Sequence, residues 1–512
     1  MNQIYKLTFV ATLIISFTGC DQKAEEIPIK NVLVIVGDDH SASALRCYGN
    51  DIVRTPNLDK LAAEGVIFTN AYSNAPVCSA SRQSLLTGKY PHATGVNLLH
   101  TPFNDEKNVT IAEHLRALSY STGVVGKTHF NNWVAPVPDH GFSHNITNKD
   151  YKLWFAAQEM PEISDSIPTL GVWRPFVDSA RIWLNADVLP TAFHEAYGPA
   201  AYDAMKAIEF LKSNKDTSFF LWVGFHEPHS PFNFPVEYAG RYNPGEISLP
   251  TGSPEDDRFV PEIFRGLSDS DKQGIIASYY TSVEYMDQQV GKILNALDEE
   301  GLKESTLVVY LGDQGYLLGD HKRFEKHTMW DPAIKAPLIF RVGDKKRKVK
   351  SVESLVQFID VVPTILDLLD LPELETVQGR SREYLFEKKC CFEDEYVFAE
   401  FLEDNKAMVT DGKWKYIFTT GLYDLGQGYQ TGYGPSGILH RLYDLDNDPH
   451  ETTNIANLQG NEIILTSLQK KMIEIFTDTY PGDLTFIDTL TVEEKLVWFC
   501  EPRDVGAVRG ER

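Results

Sequence analysis

Two carboxylates, Asp38 and Asp39, stand side by side directly after the apolar run "NVLVIVG". Adjacent acids at a strand end repel each other unless a cation lies between them, and oxygen donors favour a hard ion such as Ca²⁺ or Mg²⁺. Asp313 and Gln314 follow a second apolar run, "TLVVYLG", and offer two more oxygen ligands. A lone Asp-Asp pair is usually a helix cap or a solvated turn. Two such pairs behind two separate strands make a ligand set. Lys127 and His129 close a third run in "GKTHF", His226 and His229 close a fourth in "GFHEPH", and Lys326 lies in "GDHKRFEKHTMWD". Grouped beside a divalent cation, Lys127 and Lys326 would hold a tetrahedral oxyanion, and His129 and His229 would serve as general acid and base. Cys78 opens "CSASRQSLLTG", with Arg82 four positions on and no CxxC partner nearby. A thiol at the start of a helix sits where the dipole favours an anionic adduct.

The elements that must position these residues share one pattern. Continuous apolar runs that end in ionisable residues suit strands buried on both faces of a parallel sheet. Helical segments lie between them. "TPNLDKLAAEG" has Thr55 as N-cap, Pro56 in the first turn and Gly65 as its stop. "SVEYMDQQVGKILNALDEEG" sets Val283, Met286, Val290, Leu294 and Leu297 on one face. The expectation is an α/β fold with a large, mostly parallel central sheet flanked by helices, its site beyond the carboxyl ends of the strands. After about residue 385 the pattern changes to short antiparallel strands and a helix near "NEIILTSLQKKMIEIFTDTY". This divides the chain into an export signal (1–20), a tether (21–28), a catalytic domain (29–385) and a smaller α+β C-terminal subdomain with an antiparallel sheet (386–512). "DLDNDPHE" opens like an EF-hand loop. Pro449 stands where the loop needs glycine and Ile455 where it needs a bidentate Glu, so it is read as a turn.

The chain of 512 residues carries a formal charge of −24, which argues against non-specific binding to nucleic acid or anionic membranes. An anionic substrate must therefore be drawn by a local cationic cluster. Lys6, the short apolar run "LTFVATLIISF" and "TGC" ending at Cys20 read as an export signal. "FTGC" resembles a bacterial lipobox, which predicts lipidation of Cys20 and anchoring to a bacterial membrane on its periplasmic or outer face, with an ordinary cleaved signal as the plainer reading. Without Cys20, five cysteines remain (Cys47, Cys78, Cys390, Cys391 and Cys500), an odd number for an oxidising compartment. Cys78 is the one set apart by its surroundings.

From "NVLVIVGDDH" to "RLYDLDNDPHETTNIA", with "CSASRQSLLTG", "GKTHF", "HEPHSPF" and "GDQGYLLGDHKRFEKHTMW" between, the chain resembles type I sulfatases of the alkaline-phosphatase-like superfamily. The resemblance implies that Cys78 is oxidised by a maturase to formylglycine, whose hydrated gem-diol attacks sulfur and then collapses to expel sulfate. It implies one Ca²⁺ per chain held by Asp38, Asp39, Asp313 and Gln314 beside residue 78, with Arg82 holding the formylglycine. Lys127 and Lys326 would bind sulfate, His129 would deprotonate the gem-diol and His229 would assist the leaving group. Two positions depart from the usual pattern: Ala80 stands where proline is common, a form that resembles substrates of radical-type anaerobic maturases, and Gln314 stands where Asn or His is usual. The expected substrate is a sulfated carbohydrate, cut exo-fashion from oligosaccharide ends. Trp133, Trp154, Trp173, Arg174, Arg323, His327 and Trp330 are candidates for sugar contacts. A phosphonate or phosphate ester hydrolase of the same fold, and a glycan-binding lipoprotein with an unmodified Cys78, are the alternatives.

Overall fold

The computed structural model describes residues 27–131, 139–171, 174–175, 177–250, 252–344, 349–387, 395–420 and 437–501. Its strands are β1 (Asn31–Gly37), β2 (Val66–Phe68), β3 (Ala71–Tyr72), β4 (Ser121–Gly126), β5 (His144–Ile146), β6 (Phe219–Gly224), β7 (Thr306–Gly312), β8 (Leu338–Val342), β9 (Ser351–Val352), β10 (Val356–Gln357), β11 (Val397–Phe401), β12 (Lys406–Thr410), β13 (Trp414–Thr419) and β14 (Leu439–Asp444). Eight of them form one sheet in the order β5-β4-β6-β1-β7-β8-β2-β9. The five strands from β5 to β7 run parallel, while β8 is antiparallel to both β7 and β2. The four apolar runs of the sequence are β1, β4, β6 and β7, adjacent in the sheet and buried over nearly their whole length.

Alternation along each strand feeds two cores. Val32, Val34, Val36, Phe220 and Trp222 face one layer with Leu85 and Leu86 of the helix Cys78–Thr87. Leu33, Ile35, Leu221, Val223 and Phe225 face the other, with Ala200 and Ala204 from the helix Pro199–Ser213 and Met286 and Val290 from the long helix Asp269–Glu299. A parallel sheet covered on both faces needs such uninterrupted apolar strands. The helix Pro56–Glu64 has Thr55 and Gly65 at its ends, as its sequence predicts.

The C-terminal sheet β11–β14 is antiparallel throughout and is covered by the helix Glu462–Thr479. Its other side shares a core with the main fold, where Tyr72, Val77 and Ala80 meet Val397, Met408 and Ile417. "DLDNDPHE" is a turn: Asp444 accepts the backbone and side-chain nitrogens of Asn447, and Asp448 accepts Thr452 and Thr453. Among the described residues no helix is long and apolar enough to cross a membrane.

Candidate active site

The register of the sheet builds the site. Gly37 pairs with Gly312, and Val36 and Gly126 both pair with Gly224, so β1, β4, β6 and β7 end level with one another. The residues after those ends, Asp38–Asp39, Lys127, His226 and Asp313–Gln314, therefore emerge along one edge. Glycine is required where the loops cross there. A β-carbon on Gly224 would lie 2.1 Å from the Lys127 carbonyl and 3.0 Å from Arg82 Nη1. At Gly126, φ is +83° and a β-carbon would meet the Gly224 carbonyl at 2.3 Å.

All ten residues of the helix Cys78–Thr87 are buried, and the helix aims its first turn at this edge. Arg82 donates from Nε to Asp313 Oδ2 at 2.7 Å and from Nη1 to the Lys127 carbonyl at 2.6 Å, and its Nη2 lies 3.7 Å from Asp38 Oδ1. Lys127 Nζ bonds Asp38 Oδ2, while Lys326 Nζ reaches both Asp39 Oδ1, at 2.6 Å, and Cys78 Sγ, at 2.8 Å. Gln314 Nε2 also donates to Asp39 Oδ1 and lies 3.5 Å from Cys78 Sγ. His229 Nε2 stands 3.6 Å from Asp39 Oδ2, and its Nδ1 donates to the Ser230 carbonyl at 2.9 Å. His129 follows Lys127 in a left-handed conformation with φ of 62°, its carbonyl held by Gln83 Nε2 at 3.0 Å.

Three buried carboxylates (Asp38, Asp39 and Asp313) thus face two buried cations, Arg82 and Lys326, and the partly exposed Lys127. Burial alone would raise Asp38, but Lys127, His229 and Arg82 outweigh it and hold its carboxyl well below the usual range. Burial pushes Asp313 up to about 7 against the pull of Arg82. Burial and the neighbouring Asp38 push the Cys78 thiol up to about 12, so the unmodified side chain is a neutral thiol and a poor nucleophile. Burial and Lys127 together hold His129 well below its ordinary value, which keeps its ring uncharged at neutral pH.

The donors suit a hard cation. Among the described residues, Asp38 Oδ1 and Gln314 Oε1 are buried with no hydrogen-bond donor directed at them. Ligand atoms of Asp38, Asp39, Cys78 and His229 lie within 4.8 Å of one another. A divalent ion among these oxygens would also turn an electrically balanced pocket into a positive one, as capture of an anion requires.

Cys78, Arg82, Lys127, His129, His229, Lys326, Asp38, Asp39, Asp313 and Gln314 are thus gathered at one edge. The proposed sugar contacts that lie among the described residues are not. In the extended segment carrying Lys326, residues alternate. Lys326 enters the site, while Arg323, Glu325 and His327 turn toward the C-terminal sheet. Arg323 is buried, bonded to Glu325 at 2.5 Å and to the Phe259 carbonyl at 2.9 Å, and His327 stacks on Phe401. Arg174 lies on the surface, paired with Asp178. Trp330 is buried against His321, and Trp154 packs on Tyr197 and Tyr202. Trp133, Trp173 and Cys20 fall outside the described residues, as do Cys390 and Cys391. Cys47 is a free thiol.

Sequence reasoning missed several supports. Ser81 Oγ donates to the Asp313 carbonyl, Gln83 ties the His129 loop to the Cys78 helix, and Tyr279 donates to the Asp39 carbonyl at 2.5 Å. Ser81 and Gln83 were visible as polar residues in a buried helix. Tyr279 sits mid-helix 240 positions away, and no local spacing announces it.

Residues 30–371 match the family model described as Sulfatase, and residues 319–478 match one described as N-sulphoglucosamine sulphohydrolase, C-terminal. An arylsulfatase of Clostridium perfringens is 28% identical over 474 residues, covering 87% of this chain and 94% of its own length. Among solved structures, a phosphonate monoester hydrolase of Agrobacterium radiobacter superposes with a TM-score of 0.72 at 21% identity, covering 88% of this chain and 96% of its own. A protein solved with its substrate D-glucosamine-2-N,6-O-disulfate superposes with a TM-score of 0.67 at 19% identity, covering 89% and 99%. These two share the alkaline-phosphatase-like fold seen here. The family match spans most of the chain and contains every residue gathered at the strand edge, and the chain belongs to the sulfatase family of sulfuric ester hydrolases.

Proposed function

We propose that the chain is an exo-acting carbohydrate sulfatase whose residue 78 works as formylglycine, with one Ca²⁺ held by Asp38, Asp39, Asp313 and Gln314. The observation that carries this is the seat of Cys78: a buried first helical turn, 2.8 Å from Lys326 Nζ and 3.9 Å from Asp39 Oδ1. When present, the cation and the hydrated aldehyde supply the activated oxygen that attacks sulfur. Lys127 and Lys326 hold the sulfate oxygens and balance charge that develops on them. Arg82, fixed by Asp313 and the Lys127 carbonyl, orients residue 78. His129 takes the proton released when the sulfate is expelled. His229 gives its Nδ1 hydrogen to Ser230, so Nε2 is the nitrogen that delivers a proton to the departing sugar oxygen.

A carbohydrate substrate is supported by the neighbour solved with a sulfated glucosamine. The fold alone does not separate sulfur from phosphorus, because the phosphonate monoester hydrolase superposes with a TM-score of 0.72 against 0.67 for the sulfated-glucosamine neighbour. The lipobox-like "FTGC" supports export and anchoring through Cys20, with 1–20 as the signal, 21–28 as the tether, 29–385 as the catalytic domain and 386–512 as the C-terminal subdomain. The partner in maturation is a formylglycine-generating enzyme that accepts Ala80.

The test is desulfation of defined sulfated mono- and oligosaccharides by Ca²⁺-loaded protein whose residue 78 has been verified by mass. Release of sulfate by the wild type and none by Cys78→Ser is the expected result. Preferred turnover of phosphate diesters, or an unmodified thiol in active protein, refutes the reading.

A further inference from the structure

The segment that follows strand β6 carries one imidazole whose work is unassigned. Along β6, Val223 and Phe225 face the layer of the helix Pro199–Ser213, and the next residue of that parity, Glu227, is fully buried. Trp222 faces the layer that holds the Cys78 helix, and at Gly224 a β-carbon would touch Arg82. Strand alternation therefore places His226 on the side of Cys78 and Arg82. The segment stays in sheet register beyond the strand, with Phe225 N–H donating to the Val36 carbonyl at 2.9 Å and Asp38 N–H to the Glu227 carbonyl at 3.1 Å. His226 thus stands between the exits of β1 and β4, which deliver Asp38 and Lys127. Its ring is 5.0 Å from that of His229, centroid to centroid, and is partly exposed. No side-chain hydrogen bond joins it to any of the described residues. Burial and the adjacent His229 hold it down at about 3, so it is an uncharged donor and acceptor at neutral pH.

We infer that His226 is a specificity-determining residue that hydrogen-bonds a hydroxyl of the sugar flanking the scissile sulfate ester. This rests on the carbohydrate sulfatase reading above. An unpaired imidazole next to the proton-delivering His229 lies where the leaving group must sit. A neutral ring discriminates by hydrogen bonding alone, and a site built around such a bond rejects an analogue that lacks the hydroxyl.

The experiment is a coupling measurement between enzyme and substrate. The best sulfated monosaccharide of the panel and its deoxy analogues, each lacking one hydroxyl next to the sulfate, are assayed as kcat/KM with wild type, His226→Ala and His226→Gln. The expected result is that wild type loses about tenfold on one analogue, that His226→Ala loses about tenfold on the parent, and that the two losses do not add. His226→Gln, which keeps a donor and an acceptor, recovers part of the loss. Losses that multiply for every analogue overturn the inference, because a residue that merely supports His229 or the fold lowers all substrates alike. A wild type inert on the entire panel, with formylglycine verified, overturns the carbohydrate sulfatase reading itself and this inference with it.

Discussion

Lys326 makes the closest contact to residue 78, and its ammonium also faces Asp39, so its loss removes an oxyanion donor from a water-poor site. Lys326→Ala is expected to lower kcat/KM by about 10²–10³-fold, the usual cost of one such donor, and steady-state kinetics on the best sugar sulfate measures it. His229 gives a pH dependence with a defined sign. Burial lowers it below 6.5, with Lys326 adding to the effect and Asp39 opposing it. A proton donor of depressed pKa is charged only on the acid side, so turnover of sugar sulfates falls as pH rises through a value below 6.5. Aryl sulfates, whose phenolate leaves without a proton, escape that fall. Parallel pH profiles for a sugar sulfate and 4-nitrophenyl sulfate check this, and two superimposable profiles contradict it. Ala80 is buried among Tyr72 and Val77 in the core shared with the C-terminal sheet, an apolar role.

The element scale is where the site was most legible. Runs ending in Asp38, Lys127, His226 and Asp313 announced level strand ends because a doubly covered sheet leaves only its edges for polar groups. Arg323 and His327 were misjudged for the same physical reason: an extended segment sends neighbours to opposite sides, and composition cannot say which parity faces the site. The level strand ends depend on Gly224. Gly224→Ala forces a methyl against the Lys127 carbonyl, a backbone atom, at 2.1 Å. The variant is expected to lose about 2–4 kcal/mol of stability, read as a lowered denaturant midpoint, together with most of its activity. Asp287 ties the long helix Asp269–Glu299 to the helix Pro56–Glu64, accepting the N–H groups of Leu58 and Asn57 at 2.8 and 3.2 Å. Burial pushes its carboxyl up to about 7. The folded state then keeps a proton that the unfolded chain has already released near pH 4. Stability contributed by this group is full at low pH and declines by about 1.4 kcal/mol per unit as pH rises toward 7. Compared with Asp287→Asn, wild type should therefore lose ground across that window and run level above it, and pH-resolved urea melts of both proteins measure the difference.

At the scale of the whole molecule, the C-terminal sheet is wired to both loops that make the site. Glu400 pairs with His92 and donates its N–H to the Asn74 carbonyl, Glu403 accepts Leu99 N–H, and Lys406 donates to the His327 carbonyl. Lys415, with no exposed side-chain surface, joins Asp331 to Glu451. A chain ending at residue 385 exposes the shared core and leaves these ions unpaired, so it is expected to be insoluble or inactive, which expression and sedimentation will show. Binding of Ca²⁺ at a hundredfold its dissociation constant should add about 2.7 kcal/mol of stability. Calorimetry with and without chelator reads this, and Asp38→Asn should abolish it. One feature of the site also sets an order of events in the life of the protein. Cys78 is 1% exposed, the first residue of a helix buried along its whole length. An enzyme that must grip the peptide around residue 78 finds no purchase on the finished fold. If residue 78 works as formylglycine, as proposed above, conversion of the thiol belongs to the nascent or still unfolded chain, and a molecule that closes first keeps the plain thiol.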